Sequence, residues 1–441
     1  MIKVKKILVI GSGGREHAIC KAFFKSPQQP IIYALPGNGG TQNYAQNIDH
    51  IAINQHEEIL KFCHSQQIDL VFIGPEQPLV EGLSDFLRSK NIKVFGPSQK
   101  AAQLEASKVF MKQITDQFNI PTAKYSTFSD ANLAIAYTAK IGFPCVIKAD
   151  GLAQGKGVII AHDQIEATAA INEILHGKFG DAGKKIIIEE FLKGFEASYF
   201  VICDGKNFLP LGFAHDHKKV GDGETGLNTG GMGTYYPSPF INDALENKII
   251  ETIIKPTLEG MNHHQANFCG ILFAGLMIDG NEAKLLEFNV RFGDPETQVI
   301  LANLKSDLVT LIEKAIDGQL QNHHIEFDDK KTVCVVICSN GYPNSYEKNV
   351  EITQLKNIED LLRHHQSING ELIENVDILH AGTVEKDGKY YATGGRVLNI
   401  VASAATFQQA RQKAYKIVEA IDWKAGFYRR DIALSAIKEK L

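Results

Sequence analysis

From Lys284 to Phe292 the chain alternates apolar Leu286, Phe288, Val290 and Phe292 with polar Glu287, Asn289 and Arg291. Successive side chains of a strand point to opposite faces, so this segment predicts a half-buried β-strand with one oily face and one chemical face. The apolar run from Ile271 to Ile278 precedes it across Asp279-Gly280, a favoured tight-turn pair, and the two runs therefore read as an antiparallel hairpin. Solvent alone can satisfy such a polar face. A carboxylate, a carboxamide and a guanidinium side by side also suit a magnesium nucleotide, with two oxygens for a hard cation and a fork for phosphate.

At 441 residues the chain exceeds one ordinary core, and about three domains are expected. Residues 1–105 carry short apolar strands at 6–10, 31–35, 69–73 and 92–95 with helical patterns between them, which predicts a parallel sheet. Ligands of such sheets bind at the strand C-termini, which here carry Gly11-Ser12-Gly13-Gly14-Arg15-Glu16-His17, Pro36-Gly37-Asn38-Gly39-Gly40 and Gly74-Pro75-Glu76. Residues 106–330 turn to paired strands and long helices, with 145–149, 158–161, 185–191 and 196–203 read as one strand group. A third unit, 331–441, opens on a strand at 332–338 and closes with a helix near 407–421.

A net charge of -5 argues against nucleic-acid or anionic-membrane partners, which select a basic face. No apolar run is long enough for a transmembrane helix, and the apolar start is too short for a signal peptide. The seven cysteines are scattered and mostly apolar in context, so reduced buried thiols in a cytoplasmic protein are expected. His215 and His217 would share a strand face, but no third or fourth zinc ligand accompanies them.

Gly11-Ser12-Gly13-Gly14 lies between a strand and a helix, a position where free N–H groups favour phosphate. A dinucleotide motif wants glycine where Glu16 stands and an acid where Leu35-Pro36-Gly37 ends the second strand, so NAD fits poorly. Arg15 favours a compact sugar phosphate instead. A second glycine loop, Gly151 to Gly157 with Gly155 and Lys156, follows a strand carrying Lys148 and can close over phosphates, though it lacks the Walker spacing. The bend at Glu189-Glu190-Phe191-Leu192 and the nearby Glu196 suit an adenine edge and ribose hydroxyls. The glycine-rich stretch from Gly221 to Gly233 has the composition of a loop that folds over a polar ligand.

These pieces, in this order, resemble the phosphoribosylamine–glycine ligase (glycinamide ribonucleotide synthetase) family of the ATP-grasp superfamily. The resemblance rests on GSGGREHA at 11–18, PGNGG at 36–40, GPEQPLVEGL at 74–83, IKADGLAQGKGV at 147–158, DHKKVGD at 216–222, NTGGMG at 228–233 and EFNVRFGDPETQ at 287–298, with HAGT and TGGRVLNI near the end. It implies an α/β and α+β multidomain fold: a Rossmann-like domain at 1–105 for phosphoribosylamine, an ATP-grasp domain at 106–330 for ATP, metal and glycine, and a small α/β domain at 331–441. It implies a purine-biosynthesis ligase joining glycine to 5-phosphoribosylamine through glycyl phosphate, with the small molecules ATP, glycine and 5-phosphoribosylamine as partners, no nucleic acid and no membrane, working as a monomer or weak dimer.

On this resemblance Glu287 and Asn289 hold Mg2+ or Mn2+. Lys108, Lys148, Gly151, Gly155, Lys156 and Gly157 bind ATP phosphates, and Glu189, Glu190, Phe191, Leu192 and Glu196 hold adenosine. Arg291, Lys218 and Asp294 are the catalytic set. Gly11, Gly13, Gly14, Arg15, Glu16, Gly37, Asn38, Gly74, Pro75 and Glu76 face the sugar phosphate; Asn228, Thr229, Gly230, Gly231, Asp294 and Glu296 face glycine or the amine. Phe195, His215, Lys219 and Leu227 depart from the family pattern and bear on loop stiffness and substrate affinity.

Overall fold

The computed structural model describes residues 4–152, 157–368 and 370–438. The N-terminal strands pair in parallel in the order Gln46–Asn47, Ile31–Pro36, Lys6–Gly11, Leu70–Ile73, Val94–Phe95. The first strand in sequence lies in the middle, so the chain leaves it toward opposite sides and opens a crevice at its C-terminal end. Gly11 sits there opposite Pro36, with Gly74 one residue past Ile73.

Two antiparallel sheets form the central region. The smaller has the order Tyr125–Phe128, Ile186–Glu190, Cys145–Ala149, Val158–Ala161 and packs on helices Ala131–Ile141 and Gln164–Glu173. The segment expected to complete this group, 196–203, does not join it: Phe195–Asp204 pairs with Phe208–Asp216 and Cys269–Asp279 in a nine-stranded sheet. The reason is the bend before it. Gly194 has φ +129, and a Cβ there would stand 2.0 Å from the Ile278 carbonyl, so the chain turns between sheets where only glycine fits.

The hairpin forms as expected, Cys269–Asp279 against Glu282–Asn289. The second strand stops at Asn289 rather than Phe292, and a bulge sets Leu285 opposite Leu276 but Glu287 opposite Gly275. Leu286 is the extra residue, half-exposed in the cleft while Leu285 is fully buried. The large sheet continues through Gly233–Tyr236 into Lys331–Ser339, Arg396–Ala404 and Val376–His380, so the C-terminal unit extends the central sheet. The helix Phe407–Ile421 covers that end. All seven cysteines are free, and among the described residues no helix is long and apolar enough to cross a membrane.

Candidate functional site

A cleft of about 1680 Å³ lies between the two antiparallel sheets and the crevice of the parallel one. Its floor is the strand ending at Asn289. Glu287 makes no hydrogen bond to the described residues, and Lys218, Lys148, Lys108 and Arg291 act on it. Burial pushes its pKa up, but these four cations outweigh burial and hold it ionised below the usual value. A half-buried carboxylate facing the cleft with no donor among the described residues, two residues from a carboxamide oxygen, is a hard-oxygen donor pair that fits Mg2+ or Mn2+.

Arg291 is held from three sides. Its Nε donates to Glu76 Oε2 at 3.1 Å, and its Nη2 donates to Glu105 Oε1 at 2.9 Å and to Asn289 Oδ1 at 3.1 Å. The two carboxylates respond differently. Burial raises Glu76, but Arg291 and Arg15 pull it down to about 2. Burial dominates at Glu105, and with Glu76 adding to it against Arg291 the carboxyl is pushed up to about 7. A carboxyl raised on folding lends stability below its ordinary 4.5 and loses it as pH climbs through about 7. Relative to Glu105→Gln, the wild type should therefore lose on the order of 3 kcal/mol between those limits. Urea unfolding across that range checks this; a constant gap between the two proteins would contradict it.

Lys148, on the small sheet, meets Glu189 Oε2 at 2.6 Å and donates to Leu286 O at 3.3 Å, bridging to the strand that floors the cleft. Glu189, expected at adenosine, lies buried between Lys148 and Lys112, whose Nζ is 2.7 Å from Oε1. Lys108 donates to Gly151 O at 3.3 Å, and burial lowers its pKa. Glu190 accepts from Lys124 N and Lys284 Nζ, while Phe191 and Leu192 line the cleft between the two sheets. Gly151, whose N donates to Ala182 O, and Gly157, whose O accepts from Ala149 N, adjoin the cleft-lining Leu152 and Val158, and Gly155 and Lys156 lie outside the described residues.

Lys218 donates to Glu196 Oε2 at 2.6 Å. Burial lowers the lysine's pKa, but Glu196, Glu287 and Asp216 more than reverse this and fix its charge. Asp294 accepts from Gln298 Nε2 at 2.8 Å and from Arg15 N at 3.3 Å; against burial, Arg396 and Arg15 keep it ionised. Glu296 accepts from Ser198 Oγ at 3.1 Å and is raised by burial. Asn228, Thr229 and Gly230 line the cleft, and Gly231 tucks against Asp216 and Pro295 at φ +117. The glycine-rich stretch before them folds as a ribbon, Lys219–Gly221 with Thr225–Asn228, on which Leu227 is exposed.

The N-terminal loops divide between lining and packing. Gly11, Gly13, Arg15, Glu16, Pro75 and Glu76 reach the cleft; Gly14, Gly37, Asn38 and Gly74 do not line it. The helix start is not free as the sequence suggested, because Glu16 Oε2 accepts from Gly13 N at 2.7 Å and Asp294 takes Arg15 N. A Cβ at Gly74 would sit 2.0 Å from Glu16 Oε1, so that glycine makes room for the capping carboxylate. Asn38 donates to Ser12 O and His380 O and accepts from Gly40 N and Thr41 N, locking the loops to the C-terminal unit.

Several residues that line the cleft or pair with those that do escaped the sequence reading. Glu105 and Lys112 sit on helices Gln99–Ala106 and Lys108–Gln117, where the local pattern looks like a solvated face; the four-residue spacing of Lys108 and Lys112, which stacks them on one face, was the available signal. Arg396 donates to Gly230 O and Asp294 O, and Tyr342 Oη accepts from Gly230 N at 3.1 Å. Arg429 ties Glu224 and Asp431 to the ribbon. His215 is a core histidine stacked on Tyr235 at 5.0 Å, with burial pushing its pKa down to about 4.

Two antiparallel sheets clasping a cleft beside a parallel-sheet crevice define an ATP-grasp protein, and the sequence matches Phosphoribosylglycinamide synthetase in its N domain over 5–105, its ATP-grasp (A) domain over 106–297 and its C domain over 332–435. It is 47% identical to the phosphoribosylamine–glycine ligase of Brucella melitensis biotype 1, covering 99% of each chain. It is 45% identical to the chloroplastic phosphoribosylamine–glycine ligase of Arabidopsis thaliana, covering 97% of this chain and 79% of that one. The crystal structure of the Thermotoga maritima phosphoribosylamine–glycine ligase superposes with a TM-score of 0.81 at 34% identity, over 97% of this chain and 99% of that one. The chain belongs to the phosphoribosylamine–glycine ligase family, as a ligase of purine biosynthesis.

Proposed function

We propose that the enzyme joins glycine to 5-phosphoribosylamine through glycyl phosphate, giving glycinamide ribonucleotide, ADP and phosphate. The observation that carries this reading is Glu287, an ionised carboxylate with no hydrogen-bond donor among the described residues, set among Lys108, Lys148, Lys218 and Arg291 in a cleft shared by all three units. A glycine carboxylate is a poor electrophile toward an amine. Its oxygen attacks the γ-phosphorus of ATP, forming an O–P bond as the bond to ADP breaks; the amine nitrogen then attacks the acyl carbon, and phosphate leaves as the amine loses a proton.

Catalysis on this reading is positioning and charge neutralisation. Glu287 and Asn289 would hold Mg2+ or Mn2+, which when bound supplies charge neutralisation at the ATP phosphates. Lys108 and Lys148 neutralise phosphate oxygens, and Arg291 offers its fork to the transferring group. The adenosine end lies toward Phe191 and Leu192, and Glu196 keeps Lys218 oriented. Asp294, held ionised by Arg396 and Arg15, orients the amine, while Glu296, raised by burial, is the better proton acceptor. The parallel-sheet crevice at Gly11, Gly13 and Pro75 receives the sugar phosphate, and the cytoplasm is the compartment where its free thiols would persist.

The test is a trap. Enzyme with ATP and glycine but no phosphoribosylamine should yield glycine hydroxamate when hydroxylamine is added, and ADP release at full rate should require both substrates. ADP release that ignores glycine, or follows another carboxylate, would refute the assignment.

A further inference from the structure

Glu105 has no role in the reaction as proposed above, yet it is placed where a carboxylate costs most. It lies in the last turn of the helix Gln99–Ala106, where the helix dipole disfavours negative charge. Its side chain is only 7% exposed. Two donors compensate it, and both belong to the segment leaving the metal strand: Val290 N donates to Oε2 at 2.8 Å, and Arg291 Nη2 donates to Oε1 at 2.9 Å. The same Nη2 reaches Asn289 Oδ1 at 3.1 Å. One carboxylate thus fixes the backbone just past Asn289 and the guanidinium of Arg291 together.

Glu76 also binds Arg291, through Nε at 3.1 Å, but it is 28% exposed and has no second tie to this segment. The two partners are therefore unequal, one buried and doubly bonded, the other nearer solvent and singly bonded to the arginine.

We infer that Glu105 is a positioning residue for phosphoryl transfer, the fixed anchor that aims Arg291 at the transferring group while Glu76 is the partner an incoming phosphate displaces. This rests on the role given to Arg291 in the proposed reaction. Exchange of Glu76 for a phosphate frees Nε while Glu105 keeps its hold on Nη2 and on Val290 N, so the guanidinium meets the phosphate with no reorganisation of its backbone, the condition under which a fixed donor stabilises a transition state. Glu105 also stands three residues before Lys108, so its tie to residues 290–291 couples the phosphate-binding lysine to the metal strand.

The experiment is a double-mutant cycle on the full chain, assayed above neutrality for ADP release. Glu105→Gln keeps an acceptor for Val290 N but loses the charge that holds Arg291; kcat should fall about 100-fold with the KM for ATP within about threefold of wild type. Glu105→Asp, which retains the charge, should recover part of that loss, and it supplies the same readout if the glutamine variant folds poorly. Because Glu105 acts through Arg291, Glu105→Gln should have little further effect in an Arg291→Ala background. Wild-type kcat in Glu105→Gln, a loss carried by the KM for ATP alone, or additive losses in the double variant would each overturn the inference. Full turnover of Arg291→Ala would overturn both it and the role of Arg291, which separates the two failures.

Discussion

Replacing Glu287 by alanine is expected to lower kcat on the order of 10³-fold while leaving the fold intact. Its carboxylate makes no hydrogen bond to the described residues, and across the hairpin it faces Gly275, whose lack of a side chain leaves it room. Truncation therefore removes no structural tie. It does remove the negative charge that Lys218, Lys148, Lys108 and Arg291 converge on, and with it one of the two oxygens proposed to hold the metal. Steady-state ADP release measures the loss, and circular dichroism with thermal unfolding measures the fold. Glu287→Asp, with the charge retained one methylene short, should need more Mg2+ or Mn2+ for half-maximal rate. An alanine variant with full turnover would end the metal assignment.

What the sequence made legible follows from periodicity and punctuation. Short apolar runs ending in glycine or proline marked the parallel sheet, and strict alternation with Asp279-Gly280 marked the hairpin, because those signals are local. The sheet to which Phe195–Asp204 belongs was not local information: it depends on the bend at Gly194 and on Cys269–Asp279, more than sixty residues later. The bulge at Leu286 likewise comes from pairing, which slips one residue between Gly275 and Leu276 without altering the composition of either strand.

The site divides in the same way. Motif residues such as Glu287, Lys148 and Lys218 reach the cleft, but Gly14, Gly37, Asn38 and Gly74 do not line it, since a glycine motif marks close approach of backbone without saying what approaches. Gly74 yields to Glu16. Arg396 and Tyr342 arrive only because the C-terminal strands extend the central sheet, bringing a distant unit to the cleft edge. Long-range pairing, which no window of sequence reports, decides both which residues line the site and which carboxylates Arg291 meets.

Glu189→Gln should be the most destabilising substitution in the cleft. Glu189 is 2% exposed and is paired with Lys112 at 2.7 Å and Lys148 at 2.6 Å, two lysines that are themselves buried. Removing one member of such a cluster leaves the others as uncompensated buried charge, at a cost of about 3–5 kcal/mol. The lysines would then fold best as neutral amines. The folded pKa of Lys112 would fall further below the unfolded value, so the unfolded chain would bind more protons and the variant would gain stability as pH rises toward the ordinary lysine range. Burial already lowers Lys112 even with Glu189 present. Urea unfolding of wild type and Glu189→Gln should therefore show a gap that narrows from neutral to alkaline pH. A gap that stays constant would mean that the lysines keep their protons by turning to solvent, and that Glu189 is available to a ligand rather than committed to the pair.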